Sequence, residues 1–291
     1  MQLLSFTHPE AGLAGIVFTM DGALWGSLSE TGALIRRDSD GSLEEFPLGV
    51  GSRPLGLAPA TEDSVWVADE GLSAIVRVDR AGVRASLATP TPDAAPIAIV
   101  ALDDGTAWFI ERALGGLGRI DIIGRLSEYS SVPEGSGPAG IASSGESLWV
   151  SLAKTSAVAY FRGGDSRALL HPMTDADVHP RSIVTAEGGA VYFTAPDTGQ
   201  VGRIAAPKSI PEMVITVPGS RPKEIVADAS GGVWFTFEGE ARIGHVVASG
   251  ELRLVKLPDQ SCGIAVAPDG TVWVALVSGQ LAFLNRLEAN V

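Results

Sequence analysis

The sequence lacks several features that would assign it to particular classes of protein. It has one cysteine, Cys262, so neither an intramolecular disulfide nor a cysteine-rich zinc site is expected. No uninterrupted apolar stretch approaches the roughly 18–20 residues that a transmembrane helix needs. The first nine residues contain no basic segment followed by an apolar run, which argues against a secretory signal. We therefore expect a cytoplasmic, soluble protein.

Positive charge is also scarce. The chain has 21 lysine and arginine residues against 34 aspartate and glutamate residues, a net charge of -13. Binding to nucleic acid needs a basic surface that releases counterions, and an anionic membrane attracts basic segments. We therefore expect neither nucleic acid nor membrane as a partner.

What the sequence does contain is a repeat of aromatic residues. All six tryptophans and one tyrosine are spaced at intervals of 41, 42, 41, 43, 42 and 39 residues. We call these seven residues the anchors: Trp25, Trp66, Trp108, Trp149, Tyr192, Trp234 and Trp273. The 35 glycines and 18 prolines favour short strands joined by tight turns.

Each repeat is consistent with four strands. In the sixth repeat, for example, an apolar first strand precedes the turn Gly231-Gly232. The second strand, which carries the anchor, begins at Val233, and Ile243-Gly-His-Val246 forms the third strand. Four strands at a period near 42 residues are typical of a β-propeller. The sequence therefore predicts an all-β, seven-bladed β-propeller with four antiparallel strands per blade, and a single domain over residues 1–291.

The two ends of the chain predict how the ring closes. The last repeat stops after its third strand, near Phe283, whereas Gln2–Phe6 precede the first repeat and have the character of a fourth strand. Pairing of these segments would complete blade seven without leaving free sheet edges.

The combination of Pro-x-x-Ile, Trp234-Phe-Thr236 and Val201-Gly-Arg-Ile204 resembles the repeat of the streptogramin B lyases, the virginiamycin B lyase family. The resemblance covers essentially the whole chain. It implies a propeller that acts on cyclic depsipeptide antibiotics by magnesium-assisted elimination at the ester linkage, with a histidine base and carboxylates at the metal.

The residues at the positions that the resemblance implies are different in this chain. Lys223 stands in the place of the base, Gln260 in that of a metal carboxylate and Cys262 in that of a second histidine. Ala14 replaces a tyrosine, and no carboxylate follows Trp273 where the family has glutamate. Because a hard cation such as Mg²⁺ needs oxygen ligands, we expect no metal site and no cofactor.

The repeat also predicts which residues line the central opening. Two sets of positions are expected there: those just before the first strands, and those three residues after each anchor. The polar sector comprises His179, Arg181, Arg221 and Lys223, with Asp69 and Glu111 as acidic exceptions; the apolar sector comprises Leu55, Ile97, Phe237 and Leu276. This arrangement suits a medium-sized, natural-product-like small molecule with an apolar body and an anionic or strongly polar end. The alternative is that the cations are solvated residues that balance nearby carboxylates.

Three residues are candidates for catalysis. Lys223, beside Glu224, would act as a general base if burial lowered its proton affinity, and Cys262 is a candidate nucleophile. Three interpretations remain open: a metal-independent enzyme on a lyase-like scaffold, a non-catalytic propeller that binds a small molecule or a protein, and a magnesium-dependent streptogramin B lyase. The missing ligands disfavour the last.

Overall fold

The predicted seven-bladed propeller is confirmed. The computed structural model describes residues 1–61, 63–162 and 167–284, and the strands in these ranges form seven four-stranded antiparallel sheets. Six sheets are made of four strands that are consecutive in the chain. No helix in the described ranges is long and apolar enough to cross a membrane.

The blades share one pattern, in which the first strand lines the central opening and the fourth is outermost. Blade one contains β2 (Leu13–Phe18), β3 (Leu24–Leu28), β4 (Ala33–Arg37) and β5 (Leu43–Pro47). Blade two contains β6 (Pro54–Thr61), β7 (Ser64–Asp69), β8 (Ala74–Asp79) and β9 (Gly82–Ala88). Blade three contains β10 (Pro96–Ala101), β11 (Ala107–Glu111), β12 (Gly116–Ile120) and β13 (Leu126–Tyr129).

Blade four contains β14 (Pro138–Ser144), β15 (Ser147–Leu152), β16 (Ala157–Phe161) and β17 (Leu169–Pro172). Blade five contains β18 (Ile183–Thr185), β19 (Val191–Ala195), β20 (Gln200–Ile204) and β21 (Glu212–Thr216). Blade six contains β22 (Pro222–Ala227), β23 (Val233–Phe237), β24 (Arg242–Val246) and β25 (Leu252–Lys256). Short 3₁₀ turns occur at Pro9–Ala11, Ala153–Thr155 and Glu187–Gly189.

Blade seven confirms the predicted closure of the ring. It contains β26 (Ser261–Val266), β27 (Val272–Leu276) and β28 (Gln280–Leu284), and its fourth strand is β1 (Gln2–Ser5) from the other end of the chain. β1 pairs antiparallel with β28, with Leu3 opposite Ala282. Both ends of the chain are therefore needed to complete this sheet.

The anchors pack between blades, which explains their regular spacing. Trp25 lies in one apolar cluster with blade-two residues such as Val65, and Trp234 in another with blade-seven residues such as Val274. Trp273 packs against the cluster of blade one and so continues the pattern across the closure. An isolated four-stranded sheet cannot bury both faces, and the anchors supply the apolar contact with the next blade.

The third strand covers each anchor ring from within the same blade. Arg36 lies 5.6 Å from the ring centroid of Trp25, and His245 stacks on Trp234 at 3.9 Å and 4°. In blade six, Gly244 lies opposite Phe235, and a Cβ on Gly244 would be 2.2 Å from the tip of that ring. The glycine of the repeated Ile-Gly pair is thus required by close packing.

Candidate functional site at the central opening

The first strands surround a central cavity of about 1040 Å³. Two successive positions from each blade contribute to its wall, on the first strand in six blades and just before it in blade five, and we name them as rings. The first ring consists of Ala14, Leu55, Ile97, Ala139, Arg181, Lys223 and Cys262. The second ring consists of the next residues: Gly15, Gly56, Ala98, Gly140, Ser182, Glu224 and Gly263.

β-Bulges explain why the first-ring side chains reach the cavity. In β2, β10, β14 and β26 the strand register skips one residue, and the skipped residue is the first-ring member. In β6 and β22 the register skips both ring members. A bulge leaves a residue unpaired and turns its side chain away from the ladder. The same local irregularity therefore recurs around the opening.

Hydroxyl groups two residues after the anchors hold the first ring in place. Ser27 Oγ donates a hydrogen bond to the Leu55 carbonyl at 2.8 Å, and Thr194 Oγ1 donates to the Lys223 carbonyl at 2.8 Å. Ser151 Oγ donates in the same way to the Arg181 carbonyl. Each hydroxyl joins one blade to the main chain of the next, so the positions of Arg181 and Lys223 depend on the preceding blade.

Arg181 and Lys223 form a cationic sector at blades five and six. Both side chains are exposed and line the cavity, and neither has an ion-pair partner within the described residues. Leu55, Ile97 and the two ring alanines supply an apolar wall. The predicted combination of a polar sector and an apolar sector is therefore present in the first ring.

Arg221 also lines the cavity, but carboxylates hold its guanidinium. Its Nε donates to Glu238 at 2.7 Å and its Nη1 lies 3.1 Å from Asp197. Asp197 in turn lies 2.9 Å from His179 Nδ1. The hydrogen bond from His179 holds the pKa of Asp197 below its ordinary value, and that from Arg221 does the same for the pKa of Glu238. His179 is outside the cavity lining and acts on it only through this network.

Glu224 and Cys262 have perturbed acidities. Burial raises the pKa of the partly exposed Glu224 carboxyl, against the opposing effect of Lys223. Burial also raises the pKa of the Cys262 thiol to about 11. Cys262 is therefore a thiol near neutral pH, which disfavours it as a nucleophile because the thiolate is the reactive form.

The four residues predicted from the anchor-plus-three position do not line the opening, and that prediction is wrong. Asp69, Phe237 and Leu276 are 0% exposed and Glu111 is 1% exposed. These residues end the second strand, which the first strand separates from the cavity. Asp69 instead accepts hydrogen bonds from the backbone nitrogens of Arg53 and Leu72 at 2.8 and 3.0 Å.

The buried Glu111 carboxyl lies beside the half-buried Glu128. Burial and, secondarily, the charge of Glu128 raise the pKa of Glu111 to about 7. Glu128 accepts hydrogen bonds from the Thr91 backbone nitrogen at 2.6 Å and from its hydroxyl at 2.7 Å. Glu111 Oε1 has no hydrogen-bond partner, so the contact between the two carboxyl groups is best satisfied when Glu111 carries a proton.

Charged residues in the turns after the second strands also line the cavity and were not predicted from the sequence. Arg112, Lys154 and Glu238 all line the cavity from these turns. Arg112 pairs with Glu70, which also binds Arg53 at 2.6 Å. Their signal was their position immediately after the second strand, where a side chain reaches over the first strand to the mouth of the opening.

The donors near blades six and seven do not fit a magnesium ion. The first-ring and second-ring side chains there are an ammonium group, one carboxyl group and one thiol, whereas Mg²⁺ prefers an octahedral set of oxygens. Across the described ranges, no group of three histidine, cysteine, aspartate or glutamate residues is placed to hold a metal.

The whole described length matches one family of known proteins. Residues 1–284 match the virginiamycin B lyase family. A curated relative, virginiamycin B lyase from Nocardia farcinica (strain IFM 10152), is 31% identical over 126 residues. That match covers 43% of this chain and 44% of the relative, so the chain is aligned with less than half of the relative's length.

Solved structures of similar proteins agree in fold. Selenomethionine-substituted virginiamycin B lyase from Staphylococcus aureus superposes with a TM-score of 0.88 at 24% identity, covering 96% of this chain and 97% of that one. A catalytically inactive variant from the same organism, with quinupristin, gives a TM-score of 0.89 at 24% identity and covers 97% of both chains.

Proposed function

Since the chain belongs to the virginiamycin B lyase family, we propose that it binds a medium-sized small molecule in its central opening. The ligand has an apolar body and an anionic end, and its binding needs no metal. Pockets for small molecules generally combine an apolar wall with a few polar groups that fix orientation. The structure of a similar propeller with the antibiotic quinupristin supports a small molecule as the ligand.

One observation carries this proposal: cations without ion-pair partners face an apolar wall in an acidic protein. The net charge of the chain is -13, yet Arg181 and Lys223 lie exposed in the cavity with no ion pair in the described ranges. If their role were to balance carboxylates, they would be paired as Arg221 is. Their positions instead favour an anion supplied by a ligand, with Leu55 and Ile97 holding its body.

Anion binding can be tested with 8-anilinonaphthalene-1-sulfonate, which has an apolar body and one anionic group. We expect saturable fluorescence enhancement, weakened about tenfold by Arg181→Ala and by Lys223→Ala, because a charge-assisted hydrogen bond contributes roughly 1.5–3 kcal/mol. Arg84→Ala and Lys256→Ala are matched controls on outer strands and should leave affinity unchanged. Equal affinity in all four variants would contradict the proposal.

Metal-independent catalysis is a second candidate, and the state of Glu224 favours it. A partly exposed carboxyl group that lines the cavity beside Lys223, with a pKa raised by burial, is a candidate for proton transfer to or from a ligand. Incubation with a type B streptogramin, followed by mass spectrometry, separates the alternatives. Linearisation that EDTA abolishes would indicate the family's metal-dependent reaction and overturn the inference from the missing ligands. Linearisation that Glu224→Gln abolishes and EDTA does not would favour the metal-independent reaction.

A further inference from the structure

Glu224 is the one exception in the second ring. The other six members are four glycines, one alanine and one serine, all of which line the cavity. The neighbouring strands approach closely at this level: a Cβ on Gly140 would lie 2.2 Å from the Arg181 carbonyl oxygen, and one on Gly56 would lie 2.7 Å from the Ala98 Cα. The long acidic side chain of Glu224, at the remaining position of the second ring, therefore changes both the shape and the chemistry of the cavity wall.

The Glu224 carboxyl has no hydrogen-bond or ion-pair partner in the described residues. The backbone nitrogen of Glu224 donates to Thr236 Oγ1 at 3.0 Å, but no contact of its carboxyl oxygens fixes it to the scaffold. Lys223, its neighbour on β22, lies too far away for an ion pair and acts on it only through the electrostatic field. A structural role as the counterion of Lys223 is therefore disfavoured.

Other charged and titratable groups surround this carboxyl from neighbouring blades. Cys262 on β26 lies within electrostatic range of both Lys223 and Glu224. Arg181 lines the same cavity from blade five, and its charge, like that of Lys223, acts on Glu238. The guanidinium group of Arg221 forms ion pairs with Glu238 and Asp197. A ligand anion beside Arg181 and Lys223 would thus lie next to a carboxyl group that has no other partner.

We propose that Glu224 determines the specificity of the opening for carboxylic acids, by sharing one proton with the carboxylate of a bound ligand. This inference rests on the proposed function. Arg181 and Lys223 neutralise the ligand anion, and the protonated Glu224 donates its O–H to a ligand carboxylate oxygen. No covalent bond breaks. When Glu224 is ionised before binding, one proton is taken up from solvent as the complex forms.

The chemistry of the cavity supports this role. Burial already favours the neutral form of Glu224, since its pKa is raised despite the nearby ammonium group of Lys223. A carboxylate is a more basic acceptor than a sulfonate, so it gains more from an O–H donor. An ionised Glu224 would repel either anion, and affinity should fall as pH rises.

The test uses two ligands with the same body, naphthalene-2-carboxylate and naphthalene-2-sulfonate, measured by titration calorimetry in buffers of different ionisation enthalpy. We expect the unmodified protein to bind the carboxylate about tenfold more tightly at mildly acidic pH. Because up to one proton is taken up on binding, the affinity of the protein for the carboxylate should fall by up to about tenfold for each unit of rising pH while Glu224 titrates.

Two variants remove the proton in different ways. Glu224→Gln keeps the shape, and Glu224→Gly installs the residue that four other blades carry at this position. Both should abolish proton uptake and the pH dependence, whereas Glu212→Gln on the outer strand of blade five should not. Retention of proton uptake in either Glu224 variant would overturn the inference.

The outcomes distinguish this inference from the proposed function. Equal, pH-independent binding of both naphthalene anions by the unmodified protein, weakened by Lys223→Ala, would overturn the role of Glu224 and leave anion binding intact. Failure of both anions and of 8-anilinonaphthalene-1-sulfonate to bind would overturn the two proposals together.

Discussion

The buried Glu111, which lies beside the half-buried Glu128, makes the stability of the protein depend on pH. Glu111 is 1% exposed, and its pKa rises from an ordinary 4.5 to about 7 in the folded protein. Between these values the folded chain holds a proton that the unfolded chain has released. The free energy of unfolding must therefore fall as pH rises from about 4.5 to about 7, and the contribution levels off above that range.

The magnitude follows from the displacement of the pKa. One pKa unit corresponds to about 1.4 kcal/mol, so ionising Glu111 in place costs about 3 kcal/mol. Glu111→Gln keeps the shape of the side chain and offers Glu128 an N–H donor in place of the O–H. We expect the stability of this variant, relative to that of the unmodified protein, to rise by about 2.5 kcal/mol between about pH 5 and about pH 8.

The assay is urea denaturation of both proteins between about pH 5 and about pH 8. Other groups titrate here too: burial raises the pKa of Glu224 and lowers that of His171, with opposite effects on stability. The difference between the two proteins removes these shared contributions. Glu45→Gln, on the exposed outer strand of blade one, serves as a control. Parallel pH curves for the unmodified protein and Glu111→Gln would refute the reasoning.

Three further predictions concern the scaffold. Gly244→Ala should lower the free energy of unfolding by about 1–3 kcal/mol, because its Cβ would overlap the Phe235 ring. Gly263→Ala is the control for this change in thermal melting, and it should lower stability less because its Cβ would meet atoms no closer than 3.5 Å. Deletion of residues 2–6 should lower the melting temperature of the whole protein because β1 completes blade seven, and an unchanged melting curve would count against this. Thr194→Val should weaken binding of 8-anilinonaphthalene-1-sulfonate, because it removes the hydroxyl that holds the Lys223 carbonyl; an unchanged affinity would show that Lys223 needs no such support.

The architecture could be predicted from the sequence because the regular spacing of the anchors has a single physical cause, their packing between blades. Each anchor packs against the next blade, so the spacing of Trp25, Trp66 and their counterparts reports the blade period directly. The missing fourth strand of the last repeat and the extra strand before the first made the closure of the ring predictable. Both features depend on main-chain pairing and apolar burial, which a sequence pattern records well.

The site was predictable only where a residue lies at the start of a first strand or just before it. Arg181, Lys223, Leu55 and Ile97 line the cavity as predicted. Bulges place the last three on its wall, and Arg181 lies two residues before β18. Glu111 and its equivalents were misplaced because a position in the repeat does not reveal whether the first strand lies between that residue and the opening. Networks such as His179–Asp197–Arg221 join separate turns, and no spacing within one repeat predicts them.

The hydroxyl bridges between blades have a consequence for how such a protein changes over time. The hydroxyl groups of Ser27, Ser151 and Thr194 donate hydrogen bonds to main-chain carbonyl oxygens, which every amino acid provides. They do not contact the side chains of the first-ring residues Leu55, Arg181 and Lys223 through these bonds. A substitution in the first ring therefore leaves the bridge to its own main chain intact. The side chains that line the opening can therefore change in one blade at a time, while the contacts that hold neighbouring blades together are kept.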